Sequence, residues 1–243
     1  MRYVLGYTAA LLLLALILCQ SIIIPTFFMP FFHRQYTRLE VAQNMQMDFD
    51  ELIHVTEELL DYMRGRRDNL QGIRATVAGE ERGPAEEGLR EFFDCREEII
   101  HMEDVRVLYD RLYVVRNVAF WGLSAIILAM VLLKYRVPYL LARCSREVMA
   151  GFLGLGLILV GAVSLNFDRA FEIFHLILFD NDYWLLNPRQ SLLINMVPIE
   201  FFMDIAVFIG ALMALVPIII IVVASLMLRR DKQLDRLNFG GIR

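Results

Sequence analysis

Four stretches of the chain stay apolar over the length of a membrane crossing or close to it: residues 4–28, 114–133, 148–165 and 205–228. A helix rises about 1.5 Å per residue, so roughly 20 such residues cross the ~30 Å hydrocarbon layer of a bilayer. The first stretch carries no charge, and the second carries only Arg116 at its outer edge. The third is short, at 18 residues, and holds Gly151, Gly154, Gly156 and Gly161. Small residues of this kind let helices approach closely in lipid. The fourth contains Pro217, which a bundle tolerates. All four are expected to be transmembrane helices. The first should be retained rather than cleaved, because its apolar run exceeds a signal core and no small-x-small site follows.

The connections between the spans differ in charge. Residues 134–147 carry Lys134, Arg136, Arg143 and Arg146 against one acid, and the last span is followed by Arg229-Arg230-Asp231-Lys232. Residues 166–204 carry two basic and six acidic side chains. Since basic residues in short loops stay on the cytoplasmic side, both termini and 134–147 should be cytoplasmic. Residues 33–113 and 166–204 should then be extracytoplasmic.

Within 33–113, positions 41–64 place Val41, Met45, Phe49, Leu52, Ile53, Leu59, Leu60 and Met63 at helical spacing, with an acidic opposite face. Residues 65–89 are polar and turn-rich and read as a loop or a weak hairpin. A second helical pattern runs from about residue 90 to 116 and continues into the second span. The other outer segment is dense in aromatics (Phe167, Phe171, Phe174, Phe179, Tyr183, Trp184, Phe201, Phe202), which sit well at headgroup level. The expectation is an all-α integral membrane protein, a single membrane domain over 1–243. It has four transmembrane helices, a helical extracytoplasmic cap and a second, aromatic-rich extracytoplasmic segment.

Composition narrows the function. The 243 residues are 58% hydrophobic and 21% charged, and the mean hydropathy is +0.51, which excludes a soluble globular enzyme. The net charge of −4 gives no electrostatic case for nucleic acid. Cys19, Cys95 and Cys144 lie far apart, with neither disulfide nor metal-ligand spacing. No Gly-x-Ser-x-Gly elbow, Walker loop or dinucleotide fingerprint occurs.

The candidate chemistry rests on histidine. His54 shares a charged helix face with Glu57, Glu58 and Asp61 and reads as solvated; His33 follows the first span with no evident partner. His101 instead shares an apolar stripe with Phe93, Val105, Leu108 and Leu112, with Asp104, Glu97 and Glu98 one turn away. A histidine among apolar neighbours beside a carboxylate has a fixed tautomer and a tuned pKa, as a general base requires. A satisfied core His–Asp pair would look the same. His175 repeats the pattern: Phe171, Leu178 and Phe179 share its face, Glu172 lies at i−3, and Asp180-Asn181-Asp182-Tyr183-Trp184 follows. Two such histidines on separate outer segments point to one shared site. A metal held by Glu97, Glu98, His101, Asp104 and His175 is the weaker alternative, because the paired glutamate–histidine signature of bundle metal sites is absent.

These blocks resemble a known family. The stretch Glu97-Glu98-Ile99-Ile100-His101-Met102-Glu103-Asp104-Val105 is similar to the Glu-x-x-His-Met-x-Asp-Val stretch of the lipoprotein intramolecular transacylase (Lit) family of Gram-positive bacteria. Phe171 to Trp184, then Asn187-Pro188 and Pro198-Ile199-Glu200-Phe201-Phe202, resemble the family's second block. The resemblance implies an enzyme of the bacterial plasma membrane that acts on diacylated lipoproteins, with membrane phospholipid around it and no cofactor or metal. It would move the sn-2 acyl chain of the diacylglyceryl group to the α-amine of the lipoprotein's N-terminal cysteine. It also implies that two histidines, here His101 and His175, are catalytic. Such a transfer needs a base for the amine, a donor for the oxyanion and a near-attack geometry, but no acyl-enzyme.

On this reading His101 is favoured as the base because Asp104 can orient it, and Asn181, Asp182 and Trp184 shape the substrate pocket. Two other functions use the same residues. A membrane phospholipase or lipoprotein esterase would activate water with the histidine pair. A non-catalytic sensor or accessory protein would hold both histidines structurally.

Overall fold

In the computed structural model, residues 1–76 and 89–239 are described. The element order is α1 (Arg2–Thr26), α2 (Met29–Arg38), α3 (Val41–Asn44), α4 (Phe49–Met63), β1 (Arg74–Thr76), β2 (Leu89–Glu91), α5 (Arg96–Leu132), α6 (Val137–Leu165), α7 (Phe167–Leu178), α8 (Leu192–Met196) and α9 (Ile199–Phe239). Four of these, α1, α5, α6 and α9, are long and apolar enough to cross a membrane. The expected helical membrane protein with four spans is therefore present. Three of the helices outrun the apolar stretches: α5 begins 18 residues before residue 114, α6 starts at Val137, and α9 runs through Pro217 from Ile199.

The chain divides into two compact units. The first comprises Met1–Ile23, Leu112–Asn166 and Phe208–Arg243 and contains most of the apolar helical length. Its small residues make the contacts. Ala9, Ala10, Ala119 and Cys144 are almost fully buried, and Gly6 lies so close to Cys144 that a Cβ there would meet its Sγ at 2.7 Å. Beside this contact, the Tyr7 hydroxyl donates to Glu147, and Arg143 pairs with the same carboxylate at 3.5 Å. Outward, Leu155, Leu157, Ile158, Leu159 and Val160 are all exposed, as lipid-facing positions are. The glycines of this segment behave differently from expectation. A Cβ added at Gly151, Gly154, Gly156 or Gly161 would meet nothing within 4 Å, so among the described residues no other helix packs against them.

The second unit comprises Ile24–Arg111 and Phe167–Val207. The single helix expected over 41–64 is two helices. Gln46 takes a positive φ of 50°, and Asp48 then caps α4 by accepting from the backbone N–H groups of Asp50 and Glu51. A side-chain acceptor at this position satisfies first-turn donors that otherwise have no partner. The buried face of α4 (Leu52, Val55, Thr56, Leu59) packs with Tyr36 of α2, whose hydroxyl lies 2.9 Å from Thr56 Oγ1. Phe31, Phe32 and Tyr36 surround the Phe201 ring at centroid distances of 5.4, 5.2 and 6.0 Å.

The hairpin alternative for 65–89 is realised as β1 paired antiparallel to β2, with Ala75 opposite Arg90; residues 77–88 lie outside the described residues. The strand at 89–91 displaces the start of the following helix from about residue 90 to Arg96. Phe92 and Phe93, between strand and helix, are buried in the core of this unit.

Candidate active site

Two helices of the second unit carry the histidines. The first turn of α5 begins with Glu97 and Glu98, acids that suit a helix N-terminus, and places His101 one turn later. α7 starts immediately after Asn166, whose extended backbone breaks the preceding helix, and has Asp168 in its first turn. Of its twelve residues, His175 is the buried one. The two imidazole rings stand 6.0 Å apart between centroids.

Aromatic rings enclose the pair. Phe179 lies 5.1 Å from His101 and 5.8 Å from His175. Phe171 approaches His175 to 4.3 Å and Phe174 to 5.3 Å. The Trp184 indole stacks on His175 at 4.8 Å, with the planes 25° apart. The cage dominates the electrostatics. Burial lowers the His175 pKa below the ordinary histidine value, although its hydrogen bond to Phe171 works in the opposite direction. His101 falls further, to about 4, first through burial and then through the neighbouring His175, with Asp104 opposing. Both rings are therefore neutral at neutral pH.

A hydrogen bond settles one tautomer. His175 Nδ1 lies 2.7 Å from the Phe171 carbonyl oxygen. A carbonyl can only accept, so Nδ1 carries the proton and Nε2 keeps the lone pair. His101 is held differently, since its Nδ1 is buried without a partner. Asp104, expected beside it, has its Oδ2 engaged at 2.8 Å by the Asn181 side-chain amide. Asn181 Oδ1 in turn accepts from the Tyr183 N–H at 3.1 Å. Asp104 and Asn181 thus tie α5 to the turn leading into Trp184.

Of the expected site residues, His101, His175 and Trp184 come together in one ring cluster, and Asp104 and Asn181 brace it. Asp182 is exposed and contributes its backbone carbonyl to Leu185. His54 and His33 are exposed, as their positions imply, with the His33 ring 5.8 Å from Phe49. One residue has a larger part than its spacing indicates. Glu98 is fully buried, and its Oε1 accepts from the Leu193 N–H at 2.8 Å, in the first turn of α8. The adjacent Ile194 N–H is taken by Ser191 Oγ at 3.2 Å. Position beside His101 marked Glu98, but no local pattern reveals a partner so far along the chain. Among the described residues, no group of three or more His, Cys, Asp or Glu is assembled as metal ligands.

Helices able to cross a bilayer, together with a ring-enclosed histidine pair, mark a membrane protein with a candidate two-histidine site. The family model for lipoprotein intramolecular transacylase Lit matches residues 7–202, which contain every residue of that site. The chain belongs to this family and is an acyltransferase of that kind. It is similar in fold to the membrane integral lipoprotein intramolecular transacylase Lit from Bacillus cereus. The TM-score is 0.75 at 16% identity, over 96% of this chain and 98% of that one. Forms of the same protein with a histidine replaced by arginine or by alanine match with TM-scores of 0.67 and 0.68, each at 16% identity over 96% of this chain, covering 94% and 96% of those chains. No match is found among curated protein sequences.

Proposed function

We propose that the chain moves the sn-2 acyl chain of a diacylglyceryl lipoprotein to the α-amine of its own N-terminal cysteine, leaving an N-acylated, S-monoacylglyceryl product. The observation that carries this is the His175 tautomer. A ring whose Nδ1–H is committed to the Phe171 carbonyl presents Nε2 as a base to whatever lies in the cage. Attack by the amine forms the C–N bond, and His175 Nε2 takes the proton. Collapse breaks the bond to the glyceryl oxygen, which recovers the proton from the same imidazolium. Donor and acceptor belong to one molecule, so the chief work is holding them in contact, and rigid rings around both histidines suit that task.

This assignment reverses the one drawn from spacing. With Asp104 engaged by Asn181, His175 has the better supported claim as base. His101, neutral and 6.0 Å away, is placed to relay the proton held by His175 toward the departing glyceryl oxygen. Asp104 and Asn181 act by positioning. The basic residues Lys134, Arg136, Arg143, Arg146, Arg229, Arg230 and Lys232 support an orientation in the bacterial plasma membrane with both termini cytoplasmic and the histidine pair outside.

The test is mass spectrometry of lipoprotein N-terminal peptides from a Gram-positive host with and without this chain. An acyl group on the cysteine nitrogen with one chain left on the glyceryl, lost in His175→Ala, is the expected result. A free amine beside a monoacylglyceryl group, with released fatty acid, would mean hydrolysis instead. Unchanged diacylglyceryl cysteine would exclude lipoprotein acyl chemistry.

A further inference from the structure

The transfer needs a donor for the oxyanion, and the proposed base cannot provide it. The one N–H of neutral His175 is taken by the Phe171 carbonyl, and its Nε2 accepts. The stacked indole offers an alternative. Trp184 Nε1 is buried and has no hydrogen-bond partner. An indole N–H only donates, so no change of tautomer or protonation relieves it. The imidazole cannot take it, because the two rings lie face to face with their planes 25° apart. An N–H in the indole plane therefore does not point into the imidazole ring.

The position of this donor is held from several sides. Asp104 accepts from Asn181, Asn181 accepts from the Tyr183 N–H, and the Trp184 carbonyl accepts from the Leu186 N–H at 3.0 Å. A buried donor already fixed in place and unanswered by the protein needs no reorganisation when charge develops beside it, which is what oxyanion stabilisation requires. We propose that the indole N–H of Trp184 donates to the ester carbonyl oxygen of the acyl chain in transit and holds the oxyanion formed when the amine attacks. The ligand class is a lipid carboxylic ester. The electron pair of the carbonyl π bond moves onto that oxygen during attack and returns on collapse, while the proton travels by way of His175. This assignment rests on the transacylation reading above and gives it its electrophilic partner.

The test replaces Trp184 in the full-length protein with 3-benzothienylalanine, which keeps both rings and puts sulfur where the N–H stands. A matched variant carries 5-fluorotryptophan, which keeps the N–H. Both are assayed in detergent micelles on a synthetic diacylglyceryl lipopeptide with an N-terminal cysteine, following N-acyl product. The sulfur analogue should lower kcat on the order of 100-fold with KM nearly unchanged, and the fluorinated analogue should remain active. Unchanged kcat in the sulfur variant would overturn the assignment. So would equal losses in both variants, or a loss confined to KM, since either reports packing and not the donor. If the wild-type protein leaves the amine free, the transacylation reading itself fails, a result separate from these.

Discussion

The Nδ1–H of His175 donates to the carbonyl oxygen of Phe171, one turn earlier on the same helix, at 2.7 Å. That bond uses a backbone acceptor to hold an imidazole in one tautomer, a task often given to a carboxylate. Asp104, on α5, braces the turn before Trp184 through Asn181.

Removal of the base should show in the product. His175→Ala is expected to lower N-acyl transfer by about 10²–10⁴-fold, the range for loss of a positioned proton-transfer group. His101→Ala should also lower it. Product should be measured against folded enzyme, with thermal transitions recorded in the same detergent. Near-normal transfer in both variants would remove the mechanism.

The Asp104–Asn181 pair should behave as a coupled unit. Asp104→Asn and Asn181→Leu are each expected to reduce turnover, and the double variant to lose less than the sum. The coupling energy should be about 1–3 kcal/mol, as for groups sharing a hydrogen bond. Additive losses would mean that the two residues act independently.

Glu98 should matter for stability more than for chemistry. It is fully buried and caps the first turn of α8 through Leu193. Glu98→Ala leaves that N–H unanswered and should cost about 1–3 kcal/mol, read as a lower thermal midpoint. An unchanged midpoint would mean that the cap carries no net stability.

The lowered histidine pKa values set a pH dependence of folding. Between about 4 and the ordinary 6.5, His101 is neutral when folded but protonated when unfolded. The unfolded state then binds more protons, so stability should fall as pH drops through this window. His175, shifted in the same direction, adds to the effect. Thermal midpoints from pH 7 to pH 4 should decline, and His101→Phe should flatten the decline. A profile as steep in that variant as in the wild type would contradict this.

The contact between α1 and α6 offers a compensation test. Gly6→Ala puts a Cβ 2.7 Å from Cys144 Sγ and should lower the thermal midpoint. Cys144→Ala removes that sulfur, and the next atom then stands at an ordinary 3.6 Å. Adding Cys144→Ala to Gly6→Ala should therefore recover most of the loss; no recovery would place the strain elsewhere.

Much of this protein is legible in its residue pattern because a bilayer imposes a long, one-dimensional requirement. Each spanning helix must satisfy its own backbone over about 20 apolar residues, and that length shows in the sequence without knowledge of any neighbour. The face shared by His175, Phe171 and Phe179 was readable for a similar reason, since helical periodicity fixes which residues lie together on one helix. The gap between α3 and α4 was less so. The apolar spacing of 41–64 continues across it, while the left-handed turn at Gln46 and the Asp48 cap are local backbone events that leave that spacing intact.

Pairings between distant segments were decided only in three dimensions. Asp104 lies one turn from His101 on the same helix, so spacing assigned it there. Tertiary packing brought the Asn181 amide within 2.8 Å, and the carboxylate bonds to that donor. Burial of Glu98 against Leu193, stacking of Trp184 on His175 and the unanswered N–H of that indole are likewise contacts between separate segments. The sequence alone determined that four helices can cross a membrane and that His101 and His175 each sit on an apolar face. Which groups surround the histidine pair depended on how segments far apart in the chain pack, because contacts are chosen by distance in space.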